Sequence, residues 1–234
     1  MSYRSFIGQN APFLAAGFVL TFAASFGQTY FISVFAGEIR DEFGLSHAAW
    51  GSIYSVGTLA SAIVMIWAGM LTDHFRVRIL GPLTMAALGG ACLVMANVTA
   101  AWALPLAIFL LRFFGQGMSI QLAIVAMSRW FNRSRGTALS IAVLGASVGE
   151  ALLPLTFAWL LKFHDWRMLW TIAAFGAFAV LPVLLVLLRL ERTPQSVDGE
   201  TAAPGMDGQH WTRRAMLKTR LFWLVLPAIV APPI

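Results

Sequence analysis

The sequence predicts an all-α membrane protein with six transmembrane helices and the start of a seventh. Three observations lead there. Of 234 residues, 59% are hydrophobic and 11% charged, more apolar surface than a water-soluble fold of this size can hide. The few charges are separated by long uncharged gaps, each near the roughly 20 residues that cross about 30 Å of hydrocarbon. The basic residues, finally, fall mainly on alternate connections between those gaps.

The first span lies within Ala11 to Ala36, in a stretch with no charge between Arg4 and Glu38. It is longer than the apolar core of a secretory signal and reads as a retained helix. The second lies within Ala48 to Thr72. From Ile79 to Leu111 there is no charge, and the polar run Asn97, Val98, Thr99, Ala100 marks the turn between a third helix and a fourth that continues to about Ser128. The fifth lies within Gly136 to Leu161 and the sixth within Met168 to Leu188. Residues 1–10 then form an amino-terminal segment, 11–188 the helical bundle and 189–220 a polar linker interrupted by Pro194, Gly199, Pro204 and Gly205. The apolar run 221–234 ends at Pro232, Pro233, Ile234 and is too short for a finished crossing, so the sequence reads as a fragment or an early-terminated product.

Orientation follows from the excess of Lys and Arg on cytoplasmic loops. Arg4, Arg76, Arg78, Arg129, Arg133, Arg135, Arg189, Arg192, Arg213, Arg214, Lys218 and Arg220 occupy one side, against Arg40, Lys162 and Arg167 on the other. The amino terminus is therefore expected in the cytoplasm of a multi-pass protein of the cell membrane. The net charge of +6 does not point to nucleic acid, because its residues sit between apolar runs and not on one exposed face. Cys92 is the only cysteine and lies in an apolar run, as a small buried group.

Two charges fall inside spans, where an ionised group costs at least about 2.5 kcal/mol and needs a partner or a wet cavity. Arg112 and Glu150 each lie eleven positions from the outer end of their helix, at a matching depth of about 16 Å. They form a structural ion pair, or both face one central cavity as a substrate and proton pathway. Gln116 and Ser119 follow Arg112 at i+4 and i+7, continuing a polar face. Gln28, Thr29 and Tyr30 add polar groups to the outer half of the first span. Gly115, Gly117, Gly145 and Gly149 are candidate packing positions, and Pro154 removes a backbone hydrogen bond from the fifth helix.

The connection after the second span reads Gly69, Met70, Leu71, Thr72, Asp73, His74, Phe75, Arg76, Val77, Arg78. Its glycine, the aspartate four residues later and the basic cluster resemble the cytoplasmic turn of the major facilitator superfamily of secondary transporters. His74 and Arg76 stand where that family usually has a basic residue and a glycine. The fourth-helix pattern of Arg112, Gly115 and Gly117 and the fifth-helix pattern of Gly145, Gly149 and Pro154 also look like that family. The run Arg129, Trp130, Phe131, Asn132, Arg133, Ser134, Arg135, Gly136, with the later Asp165, Trp166, Arg167, is similar to its monocarboxylate and oxalate:formate branch.

The resemblance implies that the six helices are one half of a twelve-helix fold, with the carboxy-terminal half missing. It implies that Asp73 closes an inner gate by pairing with Arg129, Arg133 or Arg135 and by capping a helix of the other half, with Gly69, Arg76 and Arg78 in the same gating turn. The expected function is a secondary active transporter moving a small solute by alternating access. Arg112 favours an organic anion such as a carboxylate, and Glu150 would carry a coupling proton. The alternatives are a drug or amphiphile exporter of the same superfamily and a fragment that transports nothing. No enzyme is expected. His47, His74, His164 and His210 fall in or beside connections, and the sequence has no intramembrane nucleophile motif, metal cluster or phosphate-binding glycine loop. Cofactors and nucleic acid are likewise not expected; the partners are the solute, a coupling proton and the lipid bilayer.

Overall fold

A computed structural model describes residues 3–131, 134–189 and 213–230. They form two compact units, Met1–Arg192 and Thr193–Ile234, and the described residues contain no strand. Six helical stretches are long and apolar enough to cross a membrane. Such a segment must satisfy its backbone polar groups within itself, and only a helix does that for single segments in lipid.

Span 1 is built from three pieces: α1 (Tyr3–Ala24), a 3₁₀ turn (Ser25–Gly27) and α2 (Thr29–Val34). A short amphipathic helix α3 (Ala36–Phe43) follows and ends at Gly44, whose φ of 61° suits a residue without Cβ. Span 2 is α4 (His47–Ala68), capped by the Ser46 hydroxyl, which accepts from Ala49 N at 3.1 Å. A single turn, α5 (Leu71–His74), leads to span 3, α6 (Val77–Ala96). Span 4 consists of α7 (Leu104–Leu111), a π-helical stretch (Arg112–Ser119) and α8 (Ile120–Trp130). Spans 5 and 6 are α9 (Arg135–Leu160) and α10 (Trp166–Leu187).

The spans pack chiefly in pairs: α6 against α10, α1 against α9 and α4 against α7. Small residues set these approaches, as expected where lipid gives helices no hydrophobic drive to associate. A Cβ on Gly89 of α6 would strike the Phe178 ring of α10 at 2.6 Å, and one on Gly57 of α4 would meet the Pro105 carbonyl at 2.8 Å. Spans 1, 5 and 6 share an aromatic core in which Phe26, Phe31 and Phe157 meet edge to face, with Trp170 at 5.3 Å from Phe31. Burial is uneven. In spans 2 and 5 only 17% and 22% of the most apolar window is buried, against 44% in spans 1 and 4 and 56% in span 3.

At the end of the bundle that carries α3, the Asp165, Trp166, Arg167 triplet fastens three connections together. Asp165 caps α10 by accepting from Arg167 N at 3.0 Å. Trp166 donates to Glu42 Oε2 at 2.7 Å, and Arg167 bonds the same oxygen while giving a second hydrogen bond, 2.6 Å long, to the Val98 carbonyl. Its guanidinium stacks 4.2 Å over the Trp166 ring. The hydrogen bond from Arg167 holds the Glu42 carboxyl below the usual carboxylate range. The clamp therefore contributes fully above about pH 4.3, the ordinary glutamate value, and is lost as pH falls through the lower folded value. Glu42→Gln is expected to lower the melting temperature of the detergent-solubilised chain at pH 7 by about 2–4 °C. The gap between native and variant should close as pH drops below 4; a gap independent of pH would remove the ion pair from the account.

The second unit contains α11 (Arg213–Leu217) and the apolar helix α12 (Arg220–Val230). Trp223 Nε1 donates to the Leu217 carbonyl at 2.9 Å, which ties the start of α12 to the end of α11.

Candidate functional site

The site forms where two spans depart from α-helical geometry at the same place. In span 1 the sequence Ser25, Phe26, Gly27, Gln28, Thr29 places Ser, Phe, Gly and Thr, all weaker helix formers, within five residues. The helix tightens to 3₁₀ and then opens at Gln28, whose ψ is 154°. In span 4 the π-helical stretch widens the turn to i→i+5. The irregular segments touch: a Cβ on Gly115 would lie 2.5 Å from the Gly27 Cα, and one on Gly27 would lie 2.7 Å from the Gly115 Cα. Only glycine at both positions permits that approach.

Arg112 opens the π stretch with its side chain buried, 8% exposed. Its Nη1 donates to the Gly27 carbonyl at 3.4 Å and to Thr29 Oγ1 at 3.0 Å. Thr29 also accepts from the Tyr54 hydroxyl at 2.8 Å, and the Tyr54 ring lies 5.9 Å from the guanidinium carbon. Every one of these partners is neutral. Among the described residues the ion pairs are Arg129–Asp73 and Arg167–Glu42, so no carboxylate balances Arg112, and its buried Nε has no partner at all. The charge lies in the wall of a cavity of about 330 Å³ between spans 2 and 4, lined also by Thr58, Ser61, Gln116, Gly117 and Gln121.

Glu150 is elsewhere. It is exposed on α9 and does not line that cavity. The pairing with Arg112 that matching depth suggests is not formed, because span 5 packs on span 1. A Cβ on Gly145 would fall on the Phe18 carbonyl, and one on Gly149 on the Ser25 hydroxyl. The fifth helix runs unbroken through Pro154, whose missing N–H leaves the Glu150 carbonyl without its helical donor. Tyr30, half-buried, donates to Ser25 Oγ at 2.9 Å, and Gln28 caps α2 through its carbonyl, which accepts from Ile32 N at 3.1 Å.

Ser119 also departs from the sequence reading. An α-helical count from Arg112 places it on the cavity face at i+7. The π stretch instead buries it, and its hydroxyl donates to the Phe114 carbonyl, five residues back, at 2.6 Å. Gln121, five residues beyond Gln116, takes the place in the wall. Sequence reasoning missed Gln121 for that reason. It missed Tyr54, Thr58 and Ser61 although their i, i+4, i+7 spacing along α4 is a helical stripe. Gly117 lets Met65 approach, its Sδ lying 3.0 Å from where a Cβ would sit.

At the opposite end of the bundle from α3, Arg129 Nη2 meets Asp73 Oδ1 at 2.5 Å while Nη1 donates to the Thr72 carbonyl at 2.5 Å. Thr72 in turn donates to the Gly69 carbonyl at 2.7 Å. Arg135 joins Asp73, Ser128 and Arg129 around a cavity of about 310 Å³. Arg133 lies outside the described residues. Gly69 ends α4 with right-handed φ of −54°, so the turn does not depend on left-handed backbone there. Arg76 precedes α6 and is exposed, whereas Arg78 Nη1 donates to the Arg189 carbonyl at 3.5 Å, tying spans 3 and 6. The structure thus brings Asp73 and Arg129 together and places Arg76 and Arg78 apart from that bond. No group of His, Cys, Asp and Glu among the described residues is arranged to hold a metal ion.

The family model of the Major Facilitator Superfamily matches residues 17–232. The chain belongs to this superfamily. Its six-helix bundle is half of the superfamily's twelve-helix fold. Two curated members are similar to it. A gallate transporter of Pseudomonas putida is 28% identical over 156 residues, 65% of this chain and 34% of that protein. A 3-(3-hydroxy-phenyl)propionate transporter of Escherichia coli (strain K12) is 32% identical over 165 residues, 69% of this chain and 38% of that protein. The chain thus spans little more than a third of the length of these relatives. Membership in the superfamily and the six apolar helices make it a multi-pass membrane protein.

Proposed function

We propose that the chain is the amino-terminal half of a secondary active transporter that carries a small organic carboxylate by alternating access, with Arg112 as the anion-binding group. One observation carries this reading. Arg112 is a buried cation in a cavity wall, it has only neutral hydrogen-bond partners, and its Nε has none. Holding a charge in that state is costly in a membrane, and a bound carboxylate supplies the missing counter-charge through charge-assisted hydrogen bonds. The names of the two relatives support it, since gallate and 3-(3-hydroxy-phenyl)propionate are both carboxylates. The reading is that of a carrier and not of an enzyme.

Four finer assignments belong to the same proposal. The sparsely buried spans 2 and 5 receive the second half of the transporter, which the greater length of the relatives supports. The Asp73–Arg129 bond is the inner latch, with Arg135 beside it and Gly69, Arg76 and Arg78 shaping the same end. Glu150, exposed at membrane depth, carries the coupling proton. The amino terminus lies in the cytoplasm of the cell membrane, as the twelve-to-three split of basic residues supports.

The aromatic side chains speak against an amphiphile exporter. Phe26, Phe31, Phe157 and Trp170 pack on one another in the core, and no aromatic ring lines the cavity at Arg112, where Thr58, Ser61, Gln116 and Gln121 share the wall with Ala62, Met65 and Ile120. The test is binding of benzoate and of a neutral analogue, benzamide, to the chain in lipid nanodiscs by titration calorimetry. Benzoate is expected to bind and benzamide not to bind. Equal affinity for the two, or none for either, would overturn the assignment of an anion site.

A further inference from the structure

Beyond the carboxylate, the cavity contains a second recognition element, and its position follows from the π-helical stretch. In an uninterrupted α-helix Arg112 and Gln116 would share a face with Ser119. The widened turn buries Ser119 and puts Gln121 in the wall five residues from Gln116. Across the groove α4 presents Thr58 and Ser61. The Thr58 hydroxyl is buried without any partner, the same condition as Arg112 Nε in the same wall. Two orphaned polar groups around one cavity point to a ligand that completes both.

Apart from Arg112, the polar groups of this wall are neutral and two-sided. A Gln carboxamide both donates and accepts, as do the Thr and Ser hydroxyls, and no carboxylate lines the cavity. Such groups match a hydroxyl, which likewise donates once and accepts twice, and they have no preference for a second charge. Gln116 stands four residues from Arg112, about one turn of the widened helix. We infer that Gln116 and Gln121, with Thr58 and Ser61 opposite them, read a hydroxyl group on the solute about one turn from the carboxylate held by Arg112, so that the site selects hydroxylated carboxylates over their deoxy counterparts. This rests on the carboxylate reading above and adds to it the residues that set specificity. A wall built to bond a hydroxyl discriminates against the analogue that leaves its polar groups unpaired.

The test compares 3-hydroxybenzoate with benzoate on the chain in nanodiscs by titration calorimetry. The hydroxy acid is expected to bind about tenfold more tightly, one net hydrogen bond's worth. In Gln116→Leu with Gln121→Leu, the two affinities should come within twofold. Thr58→Val with Ser61→Ala provides a second arm on the other helix and should narrow the same ratio, so a misfolded glutamine variant does not decide the matter. If the native chain binds both acids equally, the hydroxyl assignment falls while the anion site stands. If it binds neither, both fall. A tenfold preference that survives both sets of substitutions would also overturn the assignment of these residues.

Discussion

Replacing Arg112 by Gln is expected to weaken benzoate binding about 100-fold while leaving the melting temperature of the chain unchanged or higher. The two effects have one cause. Arg112 is buried, bonds only the Gly27 carbonyl and the Thr29 hydroxyl, and has no counter-charge among the described residues. Its desolvation is therefore uncompensated in the empty protein, and removing a buried, unpaired charge is neutral or stabilising. With an anion bound, the balance reverses. A charge-assisted pair in a low-dielectric wall is worth about 3 kcal/mol, which is about 100-fold in affinity. Titration calorimetry and a thermal melt on the same nanodisc sample read both quantities. A variant that loses stability but keeps its affinity would make Arg112 a packing residue. Arg112→Lys retains the charge without the planar fork and should recover only part of the affinity.

Gly115→Val is expected to be strongly damaging to the bundle. A Cβ at Gly115 would lie 2.5 Å from the Gly27 Cα and 2.8 Å from its nitrogen, both backbone atoms that no side-chain rotation can move aside. Overpacking of this kind costs about 1–3 kcal/mol or more. Here it also separates the broken segment of span 1 from the π stretch of span 4, on which the Arg112 bond to Gly27 depends. The variant should melt at least about 4 °C lower and lose benzoate affinity with it. Gly90→Val is the control, because a Cβ there meets nothing within 4 Å. If both substitutions were equally mild, the close approach of the two spans would not be a requirement of the fold.

Much of the fold was legible from the spacing of charges alone. Uncharged gaps located six spans and their turns, since hydrocarbon thickness is a hard constraint on any apolar helix. Helix ends were less legible. Span 1 begins earlier and is interrupted, because its extent is set by local backbone preferences at Ser25, Gly27 and Gln28 and not by the charge gaps. In the turn after span 2, Asp73 meets Arg129, one of the three arginines named for it. The packing of α5 against α8 brings Arg129 to it.

Sequence by itself determined that this protein lives in a membrane, how many times the described helices cross it, and that Arg112 is a charge requiring an explanation. Those conclusions follow from composition and from the cost of burying polar groups in lipid, which need no coordinates. Tertiary structure decided what surrounds that charge. Matching depth on consecutive helices suggested Glu150 as its partner, but depth is only one coordinate. Rotation about the helix axis is the other, and the glycine contacts of span 5 with span 1 fix it. The π-helical stretch changed the face again, exchanging Ser119 for Gln121. A period of 3.6 cannot anticipate a local widening of the helix, which here coincides with the close approach of Gly115 to Gly27 in another span.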